Sequence, residues 1–391
     1  MLYLFTKCLV RTGLLIFCRK IIFTNSQVLK EKGPLLLACN HPNSFFDALL
    51  LGAFFKHPVH FLARGDAFKN ALVKTVLKAL KVVPIYRLTE GKEYLAFNDQ
   101  TFEKCTEVLK RGGIILIFSE GLCINEWQLR PLKKGTARIA LKAWKEQKIA
   151  HSFRVLPVSF NYSTFHEFRK RVVINFEKPI AATDINLNKS LGEQIQELNE
   201  RLFERLKQNL LIQGENETGS IQFLINNSPA VKRPGTDAIK VVKRSQQAIA
   251  ANGLLNSISK LKGTKKFPVD TWHLAIHFLV LIVLFIPSIA AYIVHVPVYT
   301  RLSSIIRNKT KGTVFYHSVL FGTLIIVYPL CLFTLSLILF VVFKKPVFML
   351  VVFILPLSAL LLLSCKDSLE AIMNYWKLCK NERKELQQIL D

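Results

Sequence analysis

The sequence predicts an α/β domain, a mixed sheet flanked by helices, followed by an α-helical membrane region. Two patterns support this prediction. Short apolar runs alternate with helical stretches from Gly33 to about Lys178, which is typical of layered α/β folds. Three later apolar runs, Leu274 to Tyr299, Val314 to Phe343 and Val347 to Cys365, are each long enough to cross a bilayer, which takes about 20 residues.

Composition also indicates a membrane protein. The chain has 53 Lys plus Arg against 27 Asp plus Glu, a net charge of +26, and 51% hydrophobic residues. A soluble basic protein does not combine these properties, whereas a membrane protein with a cationic surface does, and such a surface attracts anionic lipid headgroups. Nucleic acid is the competing partner, but the sequence has no zinc-ligand pattern, RNA-binding aromatic motif or isolated basic helix. We expect an integral membrane protein that contacts anionic lipids and no nucleic acid.

Residues 1–23 predict an interfacial membrane helix. Its cations recur at helical intervals among apolar residues, whereas a secretory signal peptide places its charge before an unbroken apolar core. The alternative is an ordinary first helix that packs on the domain.

Residues 24–213 contain the predicted α/β domain. Strands are expected at 34–39, 59–62, 82–86, 114–118 and 155–162, and helices at 44–55, 67–80, 100–110 and 135–148. Leu and Ile spaced three or four apart predict a closing amphipathic helix within 183–213. Because the ends of adjacent strands gather at one sheet edge, the loops after 34–39 and 114–118 are expected to present the chemistry.

The remainder divides into a basic linker at 214–268, membrane-embedded helices at 269–366 and a basic helical tail at 367–391. Pro287 and Pro297 interrupt the first apolar run, so we expect a re-entrant hairpin there and then two spans, in preference to three spans. The positive-inside bias places the cationic loop Thr300 to Gly312 and the tail on the cytoplasmic side, with the α/β domain.

The eight cysteines are scattered without paired short spacing, so neither a zinc site nor a disulfide framework is indicated. Cys123 follows the segment Glu120-Gly121, but the sequence places no base beside it, and we expect a packing residue.

The most informative motif reads NHPNSFFD from Asn40 to Asp47 and follows an apolar run. A neutral imidazole at His41 can take the proton of an acceptor hydroxyl, and a carboxylate on its other ring nitrogen fixes the tautomer and stabilises the imidazolium. These residue types predict a transferase or hydrolase with His41 and Asp47 as catalytic residues. The alternative is a turn followed by a helix cap.

Four blocks in order between about residues 35 and 160 resemble the glycerolipid acyltransferase family. NHPNSFFD resembles the family's NHxxxxD, VPIYR ending at Arg87 resembles its second block, FSEG at 118–121 resembles its FPEG, and VLPV at 155–158 resembles its fourth. The stretch LRPLKKG at 129–135 resembles the branch that acylates glycerol 3-phosphate or dihydroxyacetone phosphate and has membrane segments after the catalytic domain. The resemblance implies the glycerol-phosphate acyltransferase fold.

The chain departs from the family pattern in three places. Asp47 lies one residue farther from His41 than usual, so the loop must bulge for the carboxylate to reach the imidazole. Lys81 and Val82 stand near the place of the second block's leading glycine. In the third block Ser119 replaces proline, and 122–123 read Leu-Cys where many members have threonine and arginine.

The expected substrate site combines the resemblance with these departures. Because the usual arginine is missing, we assign the acceptor phosphate to Arg87, whose guanidinium offers a bidentate fork. The helpers and the pocket-shaping residues are Arg130, Lys133, Lys134, Ser119, Glu120 and Gly121.

The resemblance implies a membrane-bound enzyme that moves an acyl group from acyl-CoA or an acyl carrier protein to a glycerol-phosphate-type acceptor, glycerol 3-phosphate or dihydroxyacetone phosphate, in phospholipid biosynthesis. The alternative acceptors are lysophosphatidate (1-acylglycerol 3-phosphate) and other lysolipids. No metal or redox cofactor is implied. A second alternative is a catalytically silent lipid-binding scaffold, supported mainly by the longer spacing between His41 and Asp47.

Overall fold

The computed structural model describes residues 2–86, 97–211, 218–228, 238–254, 258, 261 and 271–390. The chain forms two compact units, Met1–Ile212 and Gln213–Asp391.

A seven-stranded mixed sheet forms the centre of the first unit. Its strands are β1 (Cys18–Thr24), β2 (Leu35–Cys39), β3 (Val59–Arg64), β4 (Val82–Ile85), β5 (Ile114–Phe118), β6 (Arg154–Tyr162) and β7 (Lys170–Phe176). Their order across the sheet is β1-β7-β6-β2-β5-β3-β4, and all neighbours are parallel except β6 and β7. The predicted mixed α/β sheet is confirmed.

Helices cover both faces of this sheet. They are α1 (Leu2–Phe17), α2 (Phe45–Phe54), α3 (Ala71–Ala79), α4 (Phe97–Lys110), α5 (Lys134–Trp144) and α6 (Leu191–Gln208). Apolar side chains of α4, α5 and α6 form one core cluster with Leu36, Ala38, Ile115 and Ile117 of the central strands. Every residue of β2 is buried, so the strand that leads to His41 lies at the centre of the domain.

The predicted helix over residues 1–23 is too long at its C-terminal end. Helix α1 stops at Phe17, and residues 18–24 form β1, an edge strand that pairs with β7. The β-branched and aromatic residues Ile21, Ile22 and Phe23 favour a strand once β7 offers a partner. Neither β1 nor β7 was predicted from the sequence.

Helix α1 has two different apolar sides. Val10, Leu14 and Phe17 are buried, and the Phe17 ring lies 5.6 Å from that of Phe46 in α2. By contrast, Leu4 and Phe5 are each 67% exposed. An apolar side that its own unit leaves uncovered is what an interfacial helix presents to lipid, and the interfacial role stays a prediction.

The second unit is helical where the structure describes it. Its helices are α7 (Thr218–Asn227), α8 (Ala238–Ala251), α9 (Thr271–Lys309), α10 (Tyr316–Phe343), α11 (Val351–Tyr375) and α12 (Lys380–Leu390). Helices α7 and α8 lie in the segment predicted as a linker. The membrane region was predicted to end at residue 366, which falls inside α11, because this helix continues to Tyr375. Asp367 and Ser368, which were expected in the solvated tail, are buried.

The predicted re-entrant hairpin is wrong. Residues 271–309 form one continuous helix of 39 residues with Pro287 and Pro297 inside it. A proline removes one backbone hydrogen bond and bends a helix, but an apolar environment favours keeping the remaining bonds, so the chain does not reverse. Helix α11 also supports α9, with Ser368 Oγ 3.1 Å from His277 Nδ1 and Ser358 Oγ 2.9 Å from His295 Nε2.

Two helices in the described part of the chain, Thr271–Lys309 and Tyr316–Phe343, are long and apolar enough to cross a membrane.

Candidate active site

Three neighbouring strand ends build the candidate site. Strands β6, β2 and β5 are adjacent and parallel, and Cys39 at the end of β2 is in register with Val158 and Phe118. The loop that contains His41 follows β2, and the loop from Ser119 to Gly121 follows β5. The sheet therefore brings together the two motifs that the sequence separates by almost 80 residues.

His41 and Asp47 are in direct contact. His41 Nδ1 lies 3.1 Å from Asp47 Oδ2, the His41 side chain is 11% exposed and the Asp47 side chain is fully buried. When the imidazole donates from Nδ1 to this carboxylate, its Nε2 is the proton acceptor. The pair can therefore act as an oriented general base.

The loop accommodates the extra residue by a bulge at Ser44. Ser44 precedes helix α2 with φ 54° and ψ −149°, a region that costs a non-glycine residue on the order of 1–3 kcal/mol. Asp47 lies in the first turn of α2, and its Oδ2 also accepts the backbone N–H of Asn43 at 2.8 Å. The unusual spacing is thus compatible with the His41–Asp47 contact.

A cysteine supports this bulge from the neighbouring loop. The backbone N–H of Ser44 donates to Cys123 Sγ at 2.8 Å, and the side chain of Asn125 donates to the carbonyl of Pro42 at 2.7 Å. Cys123 stands where many family members have arginine, and here its sulfur holds the loop. The contact agrees with the packing role expected for Cys123.

Two further contacts hold His41, one through its ring and one through its backbone. Its ring stacks on Phe118 at the end of β5, with centroids 3.6 Å apart and planes at 13°. The backbone N–H of His41 donates to Glu120 Oε1 at 2.9 Å. Position and orientation of the base are therefore set by β2, β5 and α2 together.

Glu120 is a buried acid with a shifted pKa. Burial raises the pKa of Glu120 to about 7, against the lowering effects of the backbone N–H groups of His41 and Arg130 and of the Arg130 charge. The whole residue is only 5% exposed. Its contacts indicate that Glu120 connects the two loops of the site.

The other predicted pocket residues differ in their placement. Ser119 is buried, and its hydroxyl accepts from Thr136 Oγ1 at 2.9 Å, so this side chain supports the loop. Gly121 has φ +65°, and a Cβ there would lie 2.8 Å from Lys133 Cγ. Gly121 therefore permits both the turn and the close approach of Lys133.

The predicted phosphate-binding cations are only partly described. Lys133 and Lys134 are exposed at the start of α5, where the helix dipole and free N–H groups favour an anion. The Arg130 guanidinium pairs with Glu126 at 2.6 Å. Arg87 lies outside the described residues; β4, which precedes it, is parallel to β3 and ends at the same sheet edge as β2 and β5.

Sequence reasoning missed two supporting residues. The hydroxyl of Tyr162 donates to Asp47 Oδ1, and the fully buried Lys170 lies next to the Tyr162 ring. Tyr162 ends a predicted strand, which gives a weak signal, whereas Lys170 begins β7, a strand without a prediction. Among the described residues, no three His, Cys, Asp or Glu side chains cluster closely enough to hold a metal ion.

The α/β segment of the chain is similar to known proteins. Residues 20–161 match the family model described as Acyltransferase. A 1-acyl-sn-glycerol-3-phosphate acyltransferase of Bacillus subtilis is 26% identical over 117 residues, which are 30% of this chain and 54% of that protein. The protein of the same name from Borreliella burgdorferi is 25% identical over 173 residues, 44% of this chain and 63% of that protein.

A solved structure is also similar. The 1-acyl-sn-glycerophosphate (LPA) acyltransferase PlsC of Thermotoga maritima has 20% sequence identity and a TM-score of 0.36, covering 53% of this chain and 80% of that chain. The two bacterial relatives are matched over 54% and 63% of their own lengths. The segment that matches the family model contains His41, Asp47 and the loop from Ser119 to Gly121. Residues 20–161 are therefore similar to the Acyltransferase family, and this similarity covers about a third of the chain.

Proposed function

We propose that this protein transfers a fatty acyl group from an acyl thioester to a hydroxyl of a phosphorylated glycerol acceptor. The contact of 3.1 Å between His41 Nδ1 and the buried Asp47 carboxylate is the observation that supports this best. It supplies an oriented base next to a family-typical loop, and a general base contributes about 10² to 10⁴ in rate.

The reaction needs no covalent acyl-enzyme. His41 Nε2 takes the hydroxyl proton as the acceptor oxygen attacks the thioester carbonyl, and Asp47 stabilises the imidazolium. Collapse of the tetrahedral intermediate forms the ester and breaks the C–S bond, and the proton on His41 passes to the leaving thiolate. Coenzyme A and an acyl carrier protein are both suitable donors, because each presents the acyl group as a thioester.

We propose that the acceptor phosphate binds Lys133 and Lys134, which are exposed at the α5 N-terminus. Arg87, which follows β4 in the sequence, remains the other main candidate. Arg130 is a weaker one, because its guanidinium already pairs with Glu126. A phosphate ester is best bound by charge-assisted donors of this kind.

Two classes of acceptor are supported by different observations. The stretch Leu129 to Gly135 resembles the branch that uses glycerol 3-phosphate or dihydroxyacetone phosphate, while the two bacterial relatives are named for 1-acylglycerol 3-phosphate. The catalytically silent scaffold loses its main argument, because Asp47 reaches His41 in spite of the longer spacing.

We further propose that the protein is an integral membrane protein with its catalytic unit on the cytoplasmic side. Helices α9 and α10 have the length and apolar character of membrane spans, and α1 exposes Leu4 and Phe5, which supports the membrane part of this proposal. A single span at α9 would place the cationic loop 300–312 opposite the catalytic unit, against the expectation from the sequence, so the cytoplasmic placement is supported by the basic tail alone. Fractionation under alkaline carbonate and protease accessibility of the catalytic unit in sealed vesicles test this proposal. Extraction by carbonate, or protection of the catalytic unit in inside-out vesicles, would contradict it.

An acceptor panel tests the proposed activity. The full chain in lipid nanodiscs receives labelled acyl-CoA or acyl carrier protein with glycerol 3-phosphate, dihydroxyacetone phosphate, lysophosphatidate or other lysolipids. We expect turnover with a phosphorylated acceptor and its loss in His41→Ala, with membrane association unchanged. Absence of turnover with every pair, or wild-type rates in His41→Ala, would refute the assignment.

A further inference from the structure

A buried lysine lies behind the catalytic carboxylate. Lys170, the first residue of β7, is 1% exposed, and its ammonium donates to the carbonyl of Phe165 at 3.0 Å. The same ammonium lies 4.7 Å from the ring centroid of Phe46 and 5.2 Å from that of Tyr162. Lysine is almost never fully buried without a partner, so this position requires an explanation.

The two rings link Lys170 to Asp47. Phe46 precedes Asp47 in α2, and the Tyr162 hydroxyl donates to Asp47 Oδ1. Asp47 Oδ2 is occupied by His41 and the Asn43 N–H, so Tyr162 provides the donor for the other oxygen. The carboxylate rotamer is therefore fixed at both oxygens.

Charge balance gives the lysine a second role. Burial lowers the pKa of Lys170 to about 8, against the raising effects of Cys18, Asp47 and Glu167. Burial raises the pKa of the Cys18 thiol to about 12 and that of Tyr162 well above its usual value, so both are neutral near pH 7. Lys170 is mainly an ammonium at that pH, and Asp47 and Glu167 are the carboxylates that raise its pKa; of the two, Asp47 is fully buried.

A buried carboxylate without a cation nearby is costly, and the readiest cation beside Asp47 is a protonated His41. An imidazolium cannot accept a proton. We propose that Tyr162 and Lys170 are positioning residues: Tyr162 fixes the Asp47 carboxylate, and the Lys170 ammonium balances its charge so that His41 remains an unprotonated base. This inference rests on the proposed acyl transfer and extends it to residues outside the family motifs.

A purely structural lysine is the alternative, since the bond to Phe165 also anchors the loop before β7. Lys170→Met keeps the length and apolar stem of the side chain and removes the charge. At pH values on the acid limb we expect kcat to fall by up to about tenfold, with both KM values within twofold. We also expect the acid limb of the kcat–pH profile to move up by about one pH unit. Tyr162→Phe is expected to change kcat in the same direction, by about tenfold.

Two further measurements separate positioning from structure. In an Asp47→Asn background the effect of Lys170→Met on kcat should disappear, because the charge to be balanced is absent. Thermal stability should fall in Lys170→Met, because the buried Asp47 carboxylate loses its compensating charge, and it should fall less in the Asp47→Asn background; an equal loss in both backgrounds would indicate a lysine that only anchors the loop. Lys178→Met, an exposed lysine just beyond β7, is the matched control and should leave every readout unchanged.

A readout independent of turnover keeps this inference distinct from the proposed function. Carbethoxylation of His41 by diethyl pyrocarbonate, followed by mass spectrometry of the full chain, reports the unprotonated imidazole directly. We expect the midpoint of its pH dependence to rise in Lys170→Met and not in Lys178→Met. Coincident curves for wild type and Lys170→Met would refute the inference even if acyl transfer is confirmed, and a shifted curve would support it even if no acceptor is found.

Discussion

The sharpest prediction concerns Asp47→Asn. An asparagine carbonyl at the place of Oδ2 can still accept from His41 and from the Asn43 N–H, which lie 3.1 and 2.8 Å from that oxygen. The substitution therefore removes the charge and little of the packing. Opposite charges about 4 Å apart interact by about 4 kcal/mol at an effective dielectric of 20, which corresponds to about 10³ in rate.

We expect kcat to fall about 10²- to 10³-fold, while KM for donor and acceptor stays within about threefold, because the carboxylate stabilises the imidazolium of the transition state and touches neither substrate. The assay is steady-state transfer from a labelled acyl thioester, with thermal melting to verify the fold. Asp66→Asn, an exposed carboxylate that pairs with Arg64, is the matched control and should be neutral. A loss of less than tenfold in folded Asp47→Asn would show that another group orients His41.

Three further substitutions test the phosphate contact, the loop bulge and the buried acid. Arg87→Ala should raise KM for the phosphorylated acceptor by ten- to hundredfold, as expected for a charged hydrogen bond worth about 1.5–3 kcal/mol, and leave the donor KM unchanged; equal effects on both substrates would indicate a structural arginine. Ser44→Gly should raise the free energy of unfolding by about 1 kcal/mol in thermal or urea denaturation, because glycine adopts φ 54° without strain, whereas Ser44→Ala should not; equal melting of the two variants would contradict strain at this bulge. Burial raises the pKa of Glu120 to about 7 in the folded protein, against about 4.5 in the unfolded chain. The protonated carboxyl therefore stabilises the fold below pH 4.5, and this contribution, at most about 3 kcal/mol in the free energy of unfolding, is lost as the pH rises through 7. Melting temperatures of wild type and Glu120→Gln should therefore diverge across that window, and parallel curves would disprove the assignment.

Much of the first unit could be predicted from local patterns. The buried strands β2 and β5 were predicted to within one residue, because continuous apolar runs bounded by turn residues are typical of central parallel strands. Strands β1 and β7 were missed because they depend on each other. Cations such as Lys20, Lys170 and Arg171 interrupt their apolar pattern, and Lys20 and Arg171 face each other only when the two chain segments meet.

The membrane-type helices show the same limit. Length and hydropathy predicted the apolar segments of α9, α10 and α11, since both properties are local. The prolines suggested a reversal in α9, but the helix continues past Pro287 and Pro297. Packing against α11, which no local pattern reveals, supports the continuous helix.

At the candidate site, the sequence by itself was enough to propose His41, Asp47 and Glu120, because residue type, order and spacing are sufficient to recognise a resemblance to a motif. It also predicted that the loop must bulge, without locating the bulge. Only the tertiary structure placed it at Ser44 and showed Tyr162 and Lys170 behind the carboxylate. The charge and the hydrogen-bond partners of a buried group come from strands that are distant in sequence and adjacent only after the sheet has formed.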